Sequence, residues 1–179
     1  MAVDGDFSDA RLMMLEYEHI KQEQRSRIGF RDNLLYATLA SMAAVIATTA
    51  GANDRAFLLL FPPVSVILGW TYLVNDEKIS AIGRYVRADL GPRLSALTGE
   101  DVPAFGWETA HRSDQRRVTR KYGQLVIDLL TFCLIPVSAL SAFWVPAGGA
   151  PLLLLVSIAE LAALLALGVQ IFLYADLQR

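Results

Sequence analysis

The stretch PLLLLVSIAELAALLALGVQIFLY, Pro151 to Tyr174, decides the fold. It holds one charged residue, Glu160, in 24 positions. A helix needs about 20 apolar residues to cross a hydrocarbon core of ~30 Å, so this segment is long and apolar enough to span. Reading outward from it, three more stretches share its character: Leu34 to about Ala52, Ala56 to Val74, and Leu125 to about Trp144. The turn signal Gly51-Ala-Asn-Asp-Arg55 separates the first two, and the short linker Val145 to Ala150 separates the last two. Connections this short fold each pair into an antiparallel hairpin. The expected fold class is an all-α membrane protein, with four transmembrane helices in two hairpins and helical cytoplasmic extensions.

Composition agrees. Hydrophobic residues make up 54% of the 179, and mean hydropathy is +0.39. A soluble domain of this length has too little polar chain to cover four such helices. With 16 basic and 18 acidic residues, the charge balance gives no sign of a nucleic-acid partner. A single cysteine, Cys133, forms no intramolecular disulfide, and with only His19 and His111 beside it no zinc pattern arises. No metal and no cofactor is expected. The start, Met1 to Asp9, lacks the basic and apolar regions of a cleavable signal, so the first apolar block is expected to act as an uncleaved insertion signal.

Orientation follows from lysine and arginine. Fifteen of the sixteen lie before the first span, between the second and third, or at Arg179; the two hairpin turns hold only Arg55. The positive-inside rule then puts the N-terminus, the large loop and the C-terminus in the cytoplasm. The layout is 1–33 an N-terminal amphipathic helix, 34–74 the first hairpin, 75–124 a helical stalk and loop, 125–174 the second hairpin, and 175–179 a tail.

In the cytoplasmic part, Ser8 reads as an N-cap, and Leu12, Leu15, Ile20 and Ile28 recur at loosely helical spacing, predicting one long helix into the first span. After the second span, Ile79, Ile82, Val86 and Leu90 line one face until Gly91-Pro92 breaks the helix. Gly99 to Trp107 reads as a loop, and Thr109 to Gln124 as a helix leading into the third span. The juxtamembrane cluster Arg112, Arg116, Arg117, Arg120 and Lys121 is expected to fix topology and attract anionic lipid headgroups.

Polar residues at membrane depth are costly and count as functional candidates. Glu160 lies nine residues into the fourth span, with Ser157 and Gln170 on a broad sector beside it. On the third span, Asp128, Thr131 and Ser138 fall within roughly 80° of one another at 100° per residue. Ser41 and Ser65 sit at about the depth of Glu160, and Pro62-Pro63 and Pro136 each free a backbone carbonyl near that level. Glu160 either donates a hydrogen bond, protonated, to a serine or freed carbonyl, or faces a hydrated path. Small residues make up much of the first span (Ala37, Ser41, Ala44, Thr48; Ala40, Ala43, Ala47, Ala50) and recur at Ala159/Ala163 and Ala162/Ala166. Such spacing permits close helix approach and argues for a homo-oligomer.

The segments EYEHIKQEQRSRIGFRDN (16–33), WTYLVNDEKI (70–79) and FGWE (105–108) resemble small, uncharacterised integral membrane proteins of high-GC bacteria such as actinomycetes. That resemblance implies a multi-pass protein of the bacterial cytoplasmic membrane and assigns no residue a role. In layout alone the chain is similar to SLATT-type effectors of bacterial conflict systems, which are predicted to form pores. The expected function is a small oligomeric protein that forms or gates a pore; the alternative is a membrane scaffold whose cytoplasmic helices dock a soluble protein partner. Ser41, Ser65, Ser138 and Cys133 have no histidine or lysine at their level, so no enzyme activity is expected.

Overall fold

A computed structural model describes residues 2–98, 117–145 and 151–175. Arg112, Arg116, His111 and Trp107, the loop 99–107 and the tail beyond 175 lie outside the described residues. Those described form helices and no strand: α1 (Ala2–Ala52), a 3₁₀ turn (Arg55–Leu60), α2 (Phe61–Tyr85), a π turn (Val86–Leu90), α3 (Gly91–Thr98), α4 (Arg117–Leu129), a second π turn (Leu130–Leu134), α5 (Ile135–Trp144) and α6 (Pro151–Tyr174). Four continuous helical runs, Asp9–Ala52, Arg55–Leu97, Val118–Trp144 and Pro151–Tyr174, are long and apolar enough to cross a membrane. At most a third of each apolar window is buried, so most of the residues in these windows remain exposed, many large and apolar.

Two sequence expectations about helix ends are corrected. α1 already begins at Ala2, so Ser8 lies inside the helix instead of capping it. Gly91-Pro92 does not break the second helical run either. The run widens into the π turn, where the Gly91 N–H bonds to the Val86 carbonyl, and continues as α3. The same arrangement recurs before Pro136, where the Ile135 N–H reaches back to Leu130. Proline has no N–H and its ring crowds the carbonyl four residues back; adding a residue to the preceding turn relieves both problems. Pro62 and Pro63 sit at the junction where the 3₁₀ turn passes into the first turn of α2, and no widened turn precedes them.

The chain divides into two compact units. The first comprises Met1–Arg31 and Asn75–Arg117. Its apolar centre holds Val86 and Leu90, both fully buried, with Leu94. The stripe Ile79, Ile82, Val86, Leu90 is therefore used internally, Ile79 and Ile82 being half-buried. Around it, polar side chains link α1 to the C-terminal half of α2: Asn75 Nδ2 donates to the Arg27 carbonyl (2.7 Å), Gln24 Nε2 to the Ile79 carbonyl (3.1 Å), and Arg31 pairs with Asp76 (2.9 Å). The Tyr85 hydroxyl donates to Glu16 Oε1 (2.6 Å); that bond, aided by burial, raises the phenol's pKa above its ordinary value.

The second unit comprises Asp32–Val74 and Val118–Arg179. At one end α1 closes at Asn53, whose φ of 50° is the left-handed conformation that asparagine tolerates. Asp54 then caps the 3₁₀ turn, accepting from the Ala56 N–H at 2.9 Å. Asp54→Ala is expected to lower stability by about 1 kcal/mol, read as a fall in the thermal midpoint of the detergent-solubilised protein. An unchanged midpoint would show that the cap contributes nothing there.

The buried apolar residues of this unit form two separate clusters. One contains Leu34, Tyr72, Leu73, Leu125, Phe132, Leu167 and Ile171; the other, nearer the Asp54 end, contains Met42, Val45, Phe61 and Ala139, with Leu58 packed on it. Residues from α6 contribute to the first cluster and none to the second.

Candidate polar sites either side of an apolar layer

Gly69 fixes the register of three helical runs. A Cβ built there would lie 2.9 Å from both Leu167 Cδ2 and Phe132 Cδ1, so only glycine lets α2 approach these side chains so closely. Phe132, at the middle of the second π turn, is fully buried and packs against Tyr72 with ring centroids 5.2 Å apart. Gly69, Phe132 and Leu167 therefore form one apolar layer across α2, the π turn and α6. Two polar groups lie on opposite sides of it.

On the side away from Asp54, Gln124 Nε2 donates both to the Tyr72 hydroxyl and to Asp128 Oδ1, each at 2.8 Å. Asp128 thus belongs to a network that uses both hydrogens of one amide. Sequence reasoning found Asp128 but missed Gln124 and Tyr72. The available signal was the i, i+4 spacing of Gln124 and Asp128, which puts them on one helix face.

On the Asp54 side, the inward face of α6 presents Ser157, Glu160 and Leu164 in successive turns. Ser157 is buried and accepts from the Trp144 indole N–H at 3.0 Å. Glu160 is half-buried, and its Oε2 is buried with no hydrogen-bond partner. Ser65 lies one turn along α2 from Gly69; it is 1% exposed and its Oγ also has no partner. The expected bond from Glu160 to a serine or a proline-freed carbonyl is thus not made by Oε2.

The polar stripe expected on the third span is corrected as well. Thr131 is buried and Asp128 half-buried, but Ser138 is exposed and donates to its own helix at Leu134 O (2.8 Å). The 100° periodicity used to group them fails across the π turn. Its extra residue rotates everything beyond by about one residue's angle, and Pro136, Ala139, Leu140 and Phe143 face inward instead. Ser41 is likewise satisfied locally, donating to Ala37 O at 2.8 Å. Gln170 is half-buried, ten residues beyond Glu160 and so ~15 Å along α6. Of the basic cluster, Arg120 is exposed and Lys121 half-buried, and both take part in interactions.

Among the described residues, no group of three or more His, Cys, Asp or Glu is gathered as a metal site requires. Cys133 is half-buried beside the Leu164 carbonyl (3.8 Å). With Gly168 it floors an apolar groove of about 410 Å³ whose rim includes Leu165, Val169 and Phe172.

Compared with known proteins, the chain matches no family model, no curated relative and no solved structure.

Proposed function

We propose that the chain is a small oligomeric membrane protein that forms or gates a pore, with residues 34–74 and 125–174 crossing the bacterial cytoplasmic membrane as two hairpins. Its termini and the 75–124 segment lie in the cytoplasm, by the distribution of lysine and arginine. The observation that carries this reading is the layer of Gly69, Phe132 and Leu167 between two polar groups. A dry apolar constriction flanked by polar, hydratable side chains is how a pore is held closed by dewetting.

The outward face of α1 supports self-association. Leu34, Thr38, Met42 and Val45 face inward, while Ala40, Ala44, Ala47 and Gly51 are exposed on the opposite side. Helix surfaces that only meet lipid can carry large side chains, as α6 does with Leu152, Leu155, Leu165 and Leu173. A run of small residues at this spacing suits a second helix at close range.

A membrane scaffold is the second reading, and the exposed Leu12, Leu15 and Phe30 on α1 favour it. The two are separated by reconstitution into vesicles containing anionic lipid. Pore function predicts ion flux that rises more steeply than linearly with protein density. If neither the wild type nor a Phe132→Ala variant passes ions or a small dye, and expression leaves the membrane potential unchanged, the pore reading is lost.

A further inference from the structure

Ser65 Oγ and Glu160 Oε2 are the two buried side-chain oxygens without a hydrogen-bond partner among the described residues. Both lie on inward-facing helix surfaces, on the Asp54 side of the Phe132 layer: Ser65 one turn before Gly69 on α2, and Glu160 two turns before Leu167 on α6. We propose that Glu160, with Ser65 one layer deeper, is an exchangeable proton-binding site: a neutral carboxylic acid at rest whose ligand is the proton. This rests on the membrane-spanning reading above but not on conduction.

An unpaired carboxylate in an apolar interior costs several kcal/mol or more and is neutralised by a partner or by protonation. No lysine or arginine occurs at 56–77 or 122–178, and on α1 none at 32–54. The other titratable side chains of the spans are Tyr36 on α1, Tyr72 on α2, Asp128 and Cys133 on the third run, and Tyr174 on α6 itself. None carries positive charge, and Tyr72 and Asp128 lie beyond the Phe132 layer with Gln124 between them. A bound metal cation would need about six oxygen ligands. The inward faces offer the Glu160 carboxyl, Ser65 Oγ and Ser157 Oγ, the last already accepting from the Trp144 indole, which is short of that number. A proton needs one.

Access is also directional. Side chains on a helix lean toward its N-terminus, so the Glu160 carboxyl lies on the Ser157–Trp144 side, away from the Phe132 layer. Protons therefore exchange from the Asp54 end, the periplasmic face in the proposed topology.

Dicyclohexylcarbodiimide, an apolar reagent that requires a protonated carboxyl, tests this in reconstituted vesicles. The carboxyl proton passes to one carbodiimide nitrogen and the carboxylate oxygen bonds the central carbon. The resulting O-acylisourea shifts its acyl group to nitrogen, giving a stable N-acylurea, and nothing leaves. The expected result is a mass gain of one reagent per chain mapped to Glu160, absent in Glu160→Gln and kept in Glu160→Asp. With the cytoplasmic-side pH held constant, raising the pH on the Asp54 side slows labelling. Labelling at Asp128 but not Glu160 overturns the proposal. So does protection by sodium or potassium at constant pH, which marks a metal-cation site. Ion flux without Glu160 labelling leaves the pore and removes the proton site; labelling without flux does the reverse.

Discussion

Phe132→Ala is expected to open the apolar layer and raise the ion permeability of reconstituted vesicles. Phe132 is fully buried, and its neighbour across the layer is Gly69, which has no side chain to refill the space. Alanine there leaves a void with Ser65 on one side and the Tyr72 hydroxyl on the other, so water has polar groups to reach from both directions. Lowering a barrier by about 1.4 kcal/mol raises a rate about tenfold, so a gain of at least that order is expected. Stability falls less than the same change would cost in a water-soluble core. The transfer part largely drops out when the alternative environment is lipid, leaving a cavity term on the order of 2 kcal/mol. Gly69→Ala separates leak from instability. Its added methyl meets Leu167 and Phe132 at 2.9 Å, so it should destabilise by ~1–3 kcal/mol and keep the layer closed. Equal flux from both variants would show that loosening, and not the missing ring, makes the leak.

Apolar length in residues 34–52, 56–74, 125–144 and 151–174 is a strong signal because each run matches the thickness of a hydrocarbon core, and the structure has helices at all four. The site was only half legible. Glu160 stood out because one carboxylate among two dozen apolar residues is costly wherever it points. Its surroundings were not readable, since the phase of the third run changes at a π turn that a constant 100° rule ignores. Proline gave the opposite error at Pro92. Read as a stop, it is accommodated by the same widened turn. Gly69 was passed over because a glycine in an apolar run looks like a weak helix former; its meaning lies in Phe132 and Leu167, which are 63 and 98 residues away in sequence.

The links inside the first unit were hidden for a similar reason, and they give the second large effect. Asn75→Leu is expected to cost about 2 kcal/mol, whereas Asp76→Ala costs less than about 1 kcal/mol. Asn75 is 5% exposed and makes both halves of an amide contact, donating to the Arg27 carbonyl at 2.7 Å and accepting from the Arg27 guanidinium at 3.4 Å. Leucine fills a similar volume but removes both bonds, leaving the Arg27 carbonyl with its helix donor alone and the guanidinium without its amide acceptor. Asp76 pairs with Arg31 at 2.9 Å, but the two side chains are 41% and 30% exposed, so water and salt screen the attraction. Arg27 keeps its own helix partner, Glu23, in either variant, so loss of the Asn75 contact is isolated from loss of the Arg27 charge. Hydrogen exchange over residues 9–31 and 76–97 reads the difference directly: faster exchange in both segments for Asn75→Leu, and little change for Asp76→Ala. If Asp76→Ala loosens these segments as much as Asn75→Leu, the unit is held by its exposed charges and the buried amide is secondary.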